Sequence, residues 1–205
     1  MNCRKSLLQF KRSSSKPFSC LPYDYSIPFF KFTASSPAEF GNAYGFSFTH
    51  FAQNDLDSRP EVINDTFANG VNWLTYMGHG SGTSWASTNI TYTVKDIKDM
   101  NNAKVNKPVF IDVACMNGKI EKGYAGERLM NEVDGNGDPI GTTMYYGGTV
   151  NISWHPPAIM AKGMAIKTVI QGLTNISEII FAGQLYLSEN YNDQTGIVDN
   201  FEWMY

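Results

Sequence analysis

A histidine and a cysteine each follow an apolar segment in this chain of 205 residues. His79 lies inside the turn Gly78-His79-Gly80-Ser81-Gly82, and Cys115 directly follows the apolar run 109–114. A thiolate is a strong nucleophile, and an adjacent imidazole can favour the thiolate and return a proton to a leaving amine. The pair therefore predicts acyl transfer through an acyl-enzyme on Cys115, with His79 as its proton-transfer partner.

The oxyanion that develops in such a reaction needs two hydrogen-bond donors. The backbone N–H groups of Gly80 and Cys115 are the natural candidates, because glycine lets the backbone approach a substrate without a Cβ in the way. A cysteine after an apolar strand is more often inert core, and a histidine in a glycine turn is more often a simple loop residue. Only their joint position, each at a strand end, favours a catalytic interpretation.

The elements that must position these residues alternate between strands and helices. Such alternation predicts a three-layer α/β/α sandwich with a mostly parallel sheet, in which functional residues gather at the carboxyl ends of the strands. We therefore expect His79 and Cys115 at the same edge of the sheet. The predicted strands cover residues 71–77, 109–114 and 142–150, and the predicted helices cover 61–68, 93–102, 125–133, 157–171 and 175–190.

Three sequence blocks resemble those of gingipain-type cysteine peptidases. Residues 76–85 (YMGHGSGTSW) are similar to the catalytic-histidine block, and residues 110–118 (FIDVACMNG) are similar to the catalytic-cysteine block. Residues 141–154 resemble the segment whose tryptophan walls the specificity pocket. Over roughly residues 60–190, the resemblance implies a caspase-like fold and a role for six residues. These are His79 and Cys115 as the dyad, Gly80 with Cys115 in the oxyanion hole, and Met77, Val113 and Trp154 in the substrate pocket.

The same resemblance implies a polypeptide substrate and an extracellular or cell-surface location, although residues 1–20 show no signal-peptide pattern. The family resemblance favours cleavage after Arg or Lys, because the cationic side chain can stack on Trp154. No cofactor is expected to be required, and family members can carry structural calcium. The turn Asp134-x-Asn136-x-Asp138 imitates the start of a calcium loop, but Pro139 replaces the required glycine and Tyr145 the required glutamate. A plain surface turn is predicted there.

The chain departs from the family pattern at both ends. Residues 1–50 do not match the family segment that supplies a carboxylate orienting the histidine, so the nearest candidates for it are Asp55, Asp57 and Glu61. We expect a poorly defined segment over residues 1–50, with a basic tail to about residue 20, and a catalytic domain over 51–205. That domain is expected to be truncated at its C-terminus, so the chain is expected to be a fragment.

Composition fits a globular chain, with 42% hydrophobic and 17% charged residues. Five basic residues precede the first acid, Asp24, and without them 11 basic residues face 19 acidic ones, which argues against a nucleic-acid partner. No segment reaches the roughly 18 apolar residues of a membrane span. Cys3 and Cys20 lie in the basic tail, where a disulfide between them is possible but not required.

Two other functions remain open at the level of sequence. A sortase-like transpeptidase would use the same acyl-enzyme and pass it to an amine instead of water. An inactive, truncated copy would act as a binding or structural module. A serine hydrolase is disfavoured, because the chain contains no Gly-x-Ser-x-Gly motif.

Overall fold

A computed structural model describes residues 6–12 and 46–205, with side chains described from residue 49 onwards. The strands, in chain order, are β1 (Ser6–Arg12), β2 (Phe46–Ala52), β3 (Trp73–Met77), β4 (Ser84–Trp85), β5 (Tyr92–Thr93), β6 (Val109–Val113) and β7 (Met144–Gly147). The helices are α1 (Pro60–Ala68), α2 (Ala125–Asn131), α3 (His155–Gln171), α4 (Ile176–Asn190) and α5 (Gln194–Trp203). No helix in these two ranges is both long and apolar enough to cross a bilayer.

Five strands form one sheet in the order β2-β1-β3-β6-β7, and β4 pairs with β5 in a separate hairpin. Strands β3, β6 and β7 are parallel neighbours, whereas β1 is antiparallel to both β2 and β3. Four strands of this sheet therefore point the same way, and β1 runs against them. The parallel registration places Met77 of β3 opposite Val113 of β6.

Helices cover both faces of the sheet, which confirms the predicted three-layer α/β/α architecture. Successive strand residues point to opposite faces, so Phe110 joins one core and Ile111 the other. The first core packs α1, α2 and the β4–β5 hairpin on the sheet, and includes Ile63, Phe67, Leu74, Tyr76, Trp85 and Leu129. The second core packs α3, α4 and α5 on the other face, and includes Val113, Met160, Met164, Ile179, Leu187 and Ile197.

Two strands of the sheet come from residues 1–52, a region largely covered by the segment expected to be poorly defined. Ser6–Arg12 forms β1 and pairs along its length with β2, and its first five residues also pair with β3. Pairing with a strand on each side places this basic segment inside the sheet. The side-chain pattern of the segment did not predict a strand there. Residues 29–32 (FFKF), an aromatic run that the sequence suggests as one short strand, lie outside the described residues, as do both cysteines of the tail.

The helix predicted over residues 93–102 is wrong. The Asp96 carboxylate accepts hydrogen bonds from both the N–H and the hydroxyl of Thr93, at 2.7 Å each, which closes a local turn. Only one 3₁₀ turn follows, Ile97–Asp99, and Asn101 then takes a left-handed φ of 53° that ends it. The hairpin β4–β5 and the final helix α5 were not predicted either.

Candidate active site

The β3–β6 registration brings the two predicted reactive residues to the same edge of the sheet. Met77 and Val113 are paired, and the N–H of Gly78 donates to the carbonyl of Val113 at 3.1 Å. His79 and Cys115 each lie two residues beyond that pair, in the loops that follow the adjacent parallel strands β3 and β6. The shared edge expected from sequence is therefore present.

Buried side chains fix the backbone of His79. Its N–H donates to the Ser87 hydroxyl at 3.0 Å, and its carbonyl accepts from the Tyr76 hydroxyl at 2.9 Å. The N–H of Ser87 in turn donates to the Tyr76 oxygen at 2.8 Å. Burial raises the pKa of Tyr76, so its hydroxyl remains protonated and keeps its donor role. The imidazole itself is exposed, and it contacts the Trp154 ring edge-to-face at 5.0 Å between centroids.

Two glycines are required by the close packing of this loop. A Cβ on Gly78 would lie 2.4 Å from the Tyr76 hydroxyl oxygen. A Cβ on Gly80 would lie 2.4 Å from the carbonyl oxygen of Cys115 and 2.9 Å from Oδ1 of Asn117. The absence of a side chain at Gly80 thus lets the histidine loop pack directly against the backbone of the cysteine.

Cys115 is a half-buried free thiol whose Sγ lies 3.8 Å from the carbonyl oxygen of Ile152. The next residue, Met116, has a left-handed φ of 65°, which costs a non-glycine residue about 1 kcal/mol. Its N–H donates to the carbonyl of Val150 at 2.9 Å, and this bond holds the unusual conformation. Backbone strain of this kind is concentrated at functional sites.

The N–H groups of the two expected oxyanion donors have no hydrogen-bond acceptor among the described residues. Among the hydrogen bonds that residues 6–12 and 46–205 form with one another, none uses the backbone N–H of Gly80 or of Cys115. Each N–H belongs to one of the two loops in contact.

Asp112, which sequence reasoning treated only as part of a strand, is completely buried beneath the site. Its Oδ2 accepts from the Tyr145 hydroxyl at 2.5 Å, from Nε1 of Trp85 at 2.7 Å and from Nδ2 of Asn117 at 3.2 Å. Burial raises the pKa of Asp112 to about 6, and the three donors oppose that rise. A single acid within the apolar run 109–114 was the signal that could have revealed it.

The residues expected to form the substrate pocket differ in exposure. Trp154 is 43% exposed and precedes α3, whose second and third residues are prolines. Met77 is half-buried, whereas Val113 is only 2% exposed and packs in the second core. In this structure Val113 therefore supports the site from below and presents almost no surface to a ligand.

None of the three carboxylates named as candidates for orienting His79 contacts its imidazole directly. Asp55 accepts from the N–H of Ala52 at 2.7 Å and so caps its own turn, and Glu61 lies in the first turn of α1. Within the part of the chain that the structure describes, neither these two nor Asp57 forms a hydrogen bond or ion pair with the imidazole.

The model of the family described as peptidase family C25 matches residues 28–205. The chain belongs to peptidase family C25. Gingipain R2 and gingipain R1 of Porphyromonas gingivalis are each 34% identical to it over 100 residues, which is 48% of this chain. The chain spans only 13% and 10% of the length of these two relatives.

Two solved structures resemble this C25 chain in three dimensions. The crystal structure of the Arg specific cysteine proteinase gingipain R superposes with a TM-score of 0.61 at 25% identity. The superposition covers 70% of this chain and 33% of the gingipain R chain. A complex of the pro- and mature domains of the Porphyromonas gingivalis proteinase RgpB gives a TM-score of 0.60 at 28% identity, over 70% of this chain and 34% of the other. The likeness agrees with the caspase-like fold expected from the sequence blocks.

The turn after α2 in this C25 chain is held by the carboxylate of Asp134. Oδ1 of Asp134 accepts from the N–H groups of Asn136 and Asp138 at 2.8 and 2.9 Å, as expected for a plain turn. In the described ranges, no group of three His, Cys, Asp or Glu side chains is arranged to hold a metal ion.

Proposed function

We propose that this chain carries the catalytic core of a cysteine endopeptidase, with Cys115 as nucleophile and His79 as general acid and base. The observation that carries the proposal is the contact between the two loops: His79 and Cys115 follow paired residues of adjacent parallel strands, and Gly80 packs on the Cys115 carbonyl. Membership of peptidase family C25 supports the same chemistry.

In the first step, His79 accepts the thiol proton, and the Cys115 sulfur attacks the carbonyl carbon of the scissile peptide bond. The negative charge that develops on the carbonyl oxygen is stabilised by the N–H groups of Gly80 and Cys115. The imidazolium then gives its proton to the leaving nitrogen as the C–N bond breaks, which leaves a thioester. In the second step, water adds to the thioester, its proton passes through His79, and the thiol and a carboxylic acid are released.

For the substrate, we propose a polypeptide whose residue before the cleaved bond contacts Trp154. That indole is the most exposed of the three expected pocket residues, and its edge contact with His79 places it next to the reacting groups. An Arg or Lys side chain would gain a cation–π contact on such a ring. Gingipain R, which the fold resembles, is described as Arg specific. We also propose an extracellular or cell-surface site of action, in keeping with the family resemblance.

Peptide hydrolysis by a Cys115→Ala variant tests the mechanism. Peptides with Arg, Lys or an uncharged residue before the cleaved bond are incubated with each protein, and the products are identified by mass spectrometry. We expect Cys115→Ala to lower the hydrolysis rate by about a thousandfold or more, because the nucleophile acts together with its base. Cys3→Ala and Cys20→Ala are the matched controls and should keep wild-type rates. A Cys115→Ala variant as active as the wild type contradicts the mechanism.

The same assay distinguishes hydrolysis from transpeptidation. An added amine acceptor competes with water for the acyl-enzyme, and its adduct has a different mass from the hydrolysed product. We expect the acid to be the main product at millimolar concentrations of amine. Near-complete transfer to the amine would instead identify a sortase-like transpeptidase.

A further inference from the structure

A buried carboxylate joins three segments of the chain directly beneath the candidate site. Asp112 of β6 accepts hydrogen bonds from Trp85 of β4, which follows the histidine loop, and from Tyr145 of β7. Its third donor is Asn117, two residues after the candidate nucleophile. All three bonds converge on Oδ2, and Asp112 has no exposed surface.

Asn117 carries this connection across to the histidine loop. Its side chain is completely buried, its Nδ2 donates to Asp112, and its Oδ1 accepts from the N–H of Gly82 at 2.9 Å. The carbonyl of Asn117 also accepts from the N–H of Gly126 at 2.8 Å, which ties the same residue to the start of α2. Asn117 is thus a direct side-chain link between the two loops, and Asp112 fixes its orientation.

We propose that Asp112 and Asn117 form a buried clamp, which positions the loop of His79 against the loop of Cys115 for the reaction. This proposal rests on the proposed peptidase function. Both are positioning residues, because neither touches the substrate and each acts through the two loops. Tyr145 donates to the same carboxylate from the neighbouring strand β7 but does not link the two loops, so it provides a matched control.

Asn117→Asp is the most informative variant, since it keeps the shape of the side chain and replaces its donor with a second oxygen. That oxygen would stand about where Nδ2 now lies, 3.2 Å from Oδ2 of Asp112. Two carboxylates at this separation repel when both are ionised, and they attract when they share one proton. The other titratable groups that face Asp112 are Tyr145 from β7 and Tyr76 from β3; burial raises the pKa of each, so both stay neutral at the pH values used.

The experiment measures two quantities on the full chain. The first is the rate at which a peptidyl electrophile labels Cys115, resolved by mass spectrometry at pH 5.5 and pH 8 and at a temperature where circular dichroism shows a folded protein. The second is the hydrogen-exchange protection of the Gly82 amide, measured by NMR. The proteins are the wild type, Asn117→Asp, Asp112→Asn and Tyr145→Phe.

We expect Asn117→Asp to label at least tenfold more slowly than the wild type at pH 8, and within about threefold of it at pH 5.5, where one shared proton restores the link. Protection of the Gly82 amide should fall in this variant and not in Tyr145→Phe, whose labelling should stay within twofold of the wild type. Asp112→Asn should label more slowly than the wild type at pH 8, and by a smaller factor at pH 5.5, where the Asp112 carboxyl of the wild type is itself largely protonated. If Asn117→Asp does not fold, the contrast between Asp112→Asn and Tyr145→Phe decides the question.

Equal rates for the clamp variants and the wild type at pH 8 would overturn the proposal, as would an equal loss in Tyr145→Phe. These results would leave the peptidase function intact, because the wild type would still be labelled. A wild-type chain whose Cys115 is not labelled overturns the proposed function, and the positioning role then falls with it.

Discussion

Asp112 of β6 and Cys115, which lies just beyond the end of that strand, have opposite requirements although they are only three residues apart. Asp112 is fully enclosed and held by three donors, whereas Cys115 is half-exposed at the rim of the sheet. Their positions along the chain explain the difference in exposure. Asp112 lies within the paired part of β6, and Cys115 lies beyond its last paired residue, Val113. The proposed nucleophile therefore lies where the pairing ends, and the buried carboxylate lies within the sheet.

The titration of Asp112 gives a prediction at this scale. Burial raises its pKa from 3.8 to about 6 in the folded chain, so the folded state binds this proton more tightly than the unfolded state. The folded state therefore loses stability as the pH rises from about 4 to about 6, by about 3 kcal/mol for a shift of this size. Asp112→Asn cannot titrate and should lack that loss.

The check is urea unfolding of the wild type and Asp112→Asn at pH 4, 5, 6 and 7. The free energy of unfolding of the wild type should decline relative to that of the variant across this window. Parallel curves for the two proteins would show that Asp112 ionises in the folded chain as readily as in the unfolded one. Asp134 is a useful control, because backbone hydrogen bonds lower its pKa. The free energy of unfolding of the wild type should not decline relative to that of Asp134→Asn across this window.

The candidate dyad could be predicted from the sequence, because His79 and Cys115 each stood at the end of a recognisable strand next to small residues. Asp112 and Asn117 could not, because their role is defined by partners 27 to 35 residues away along the chain. An acid inside an apolar strand indicates that something unusual is present. It does not say which donors will surround it.

At the scale of elements, the site depends on how closely two loops can approach each other. Gly80 is the point of contact, and an added Cβ would meet the Cys115 carbonyl oxygen at 2.4 Å. Real Cβ atoms do not approach a backbone oxygen that closely, so one loop must move. Any movement displaces either His79 or the candidate oxyanion donors.

Gly80→Ala should therefore slow the labelling of Cys115 by at least about tenfold, since a small misplacement of reacting groups has a large effect on rate. Overpacking of this kind should also lower the free energy of unfolding by about 1–3 kcal/mol. Gly135→Ala is the matched control, because a Cβ at that exposed turn meets nothing within 4 Å. Thermal unfolding and the labelling rate are measured on both variants. A Gly80→Ala variant that labels as fast as Gly135→Ala would show that the loops do not need this contact.

The elements themselves were predictable to different degrees, for physical reasons. Helices α1, α2, α3 and α4 were predicted to within two residues at each end. Their ends carry clear signals, such as Pro60 as the first residue of α1 and Gly172 directly after α3. The helix predicted over residues 93–102 does not form, because the Asp96 carboxylate closes a turn on Thr93. Strand β1 was not predicted, because its pairing partners place it in the sheet and its own side-chain pattern does not indicate a strand.

For the whole molecule, both cores meet at the candidate site. The cysteine loop packs on the end of β7, where the N–H of Gly118 donates to the carbonyl of Gly148, the residue after that strand, at 2.8 Å. Gly148 also pairs with Met204, which follows α5 and is buried in the second core. Asp112 and Trp85 connect the same loop to the first core through Phe110, on which the Trp85 ring stacks at 5.9 Å. The loop is therefore supported from both faces of the sheet.

The relation between His79 and Cys115 is the claim on which the whole account depends, and one rate tests it most directly. The measurement is the labelling of Cys115 by a peptidyl electrophile at pH 6.5 in the wild type, His79→Ala and His155→Ala, with Cys3 and Cys20 as internal reference thiols. We predict that Cys115 labels faster than both reference thiols, that His79→Ala lowers its rate at least about tenfold, and that the exposed His155→Ala leaves it within twofold. Equal rates in the wild type and His79→Ala would contradict the account.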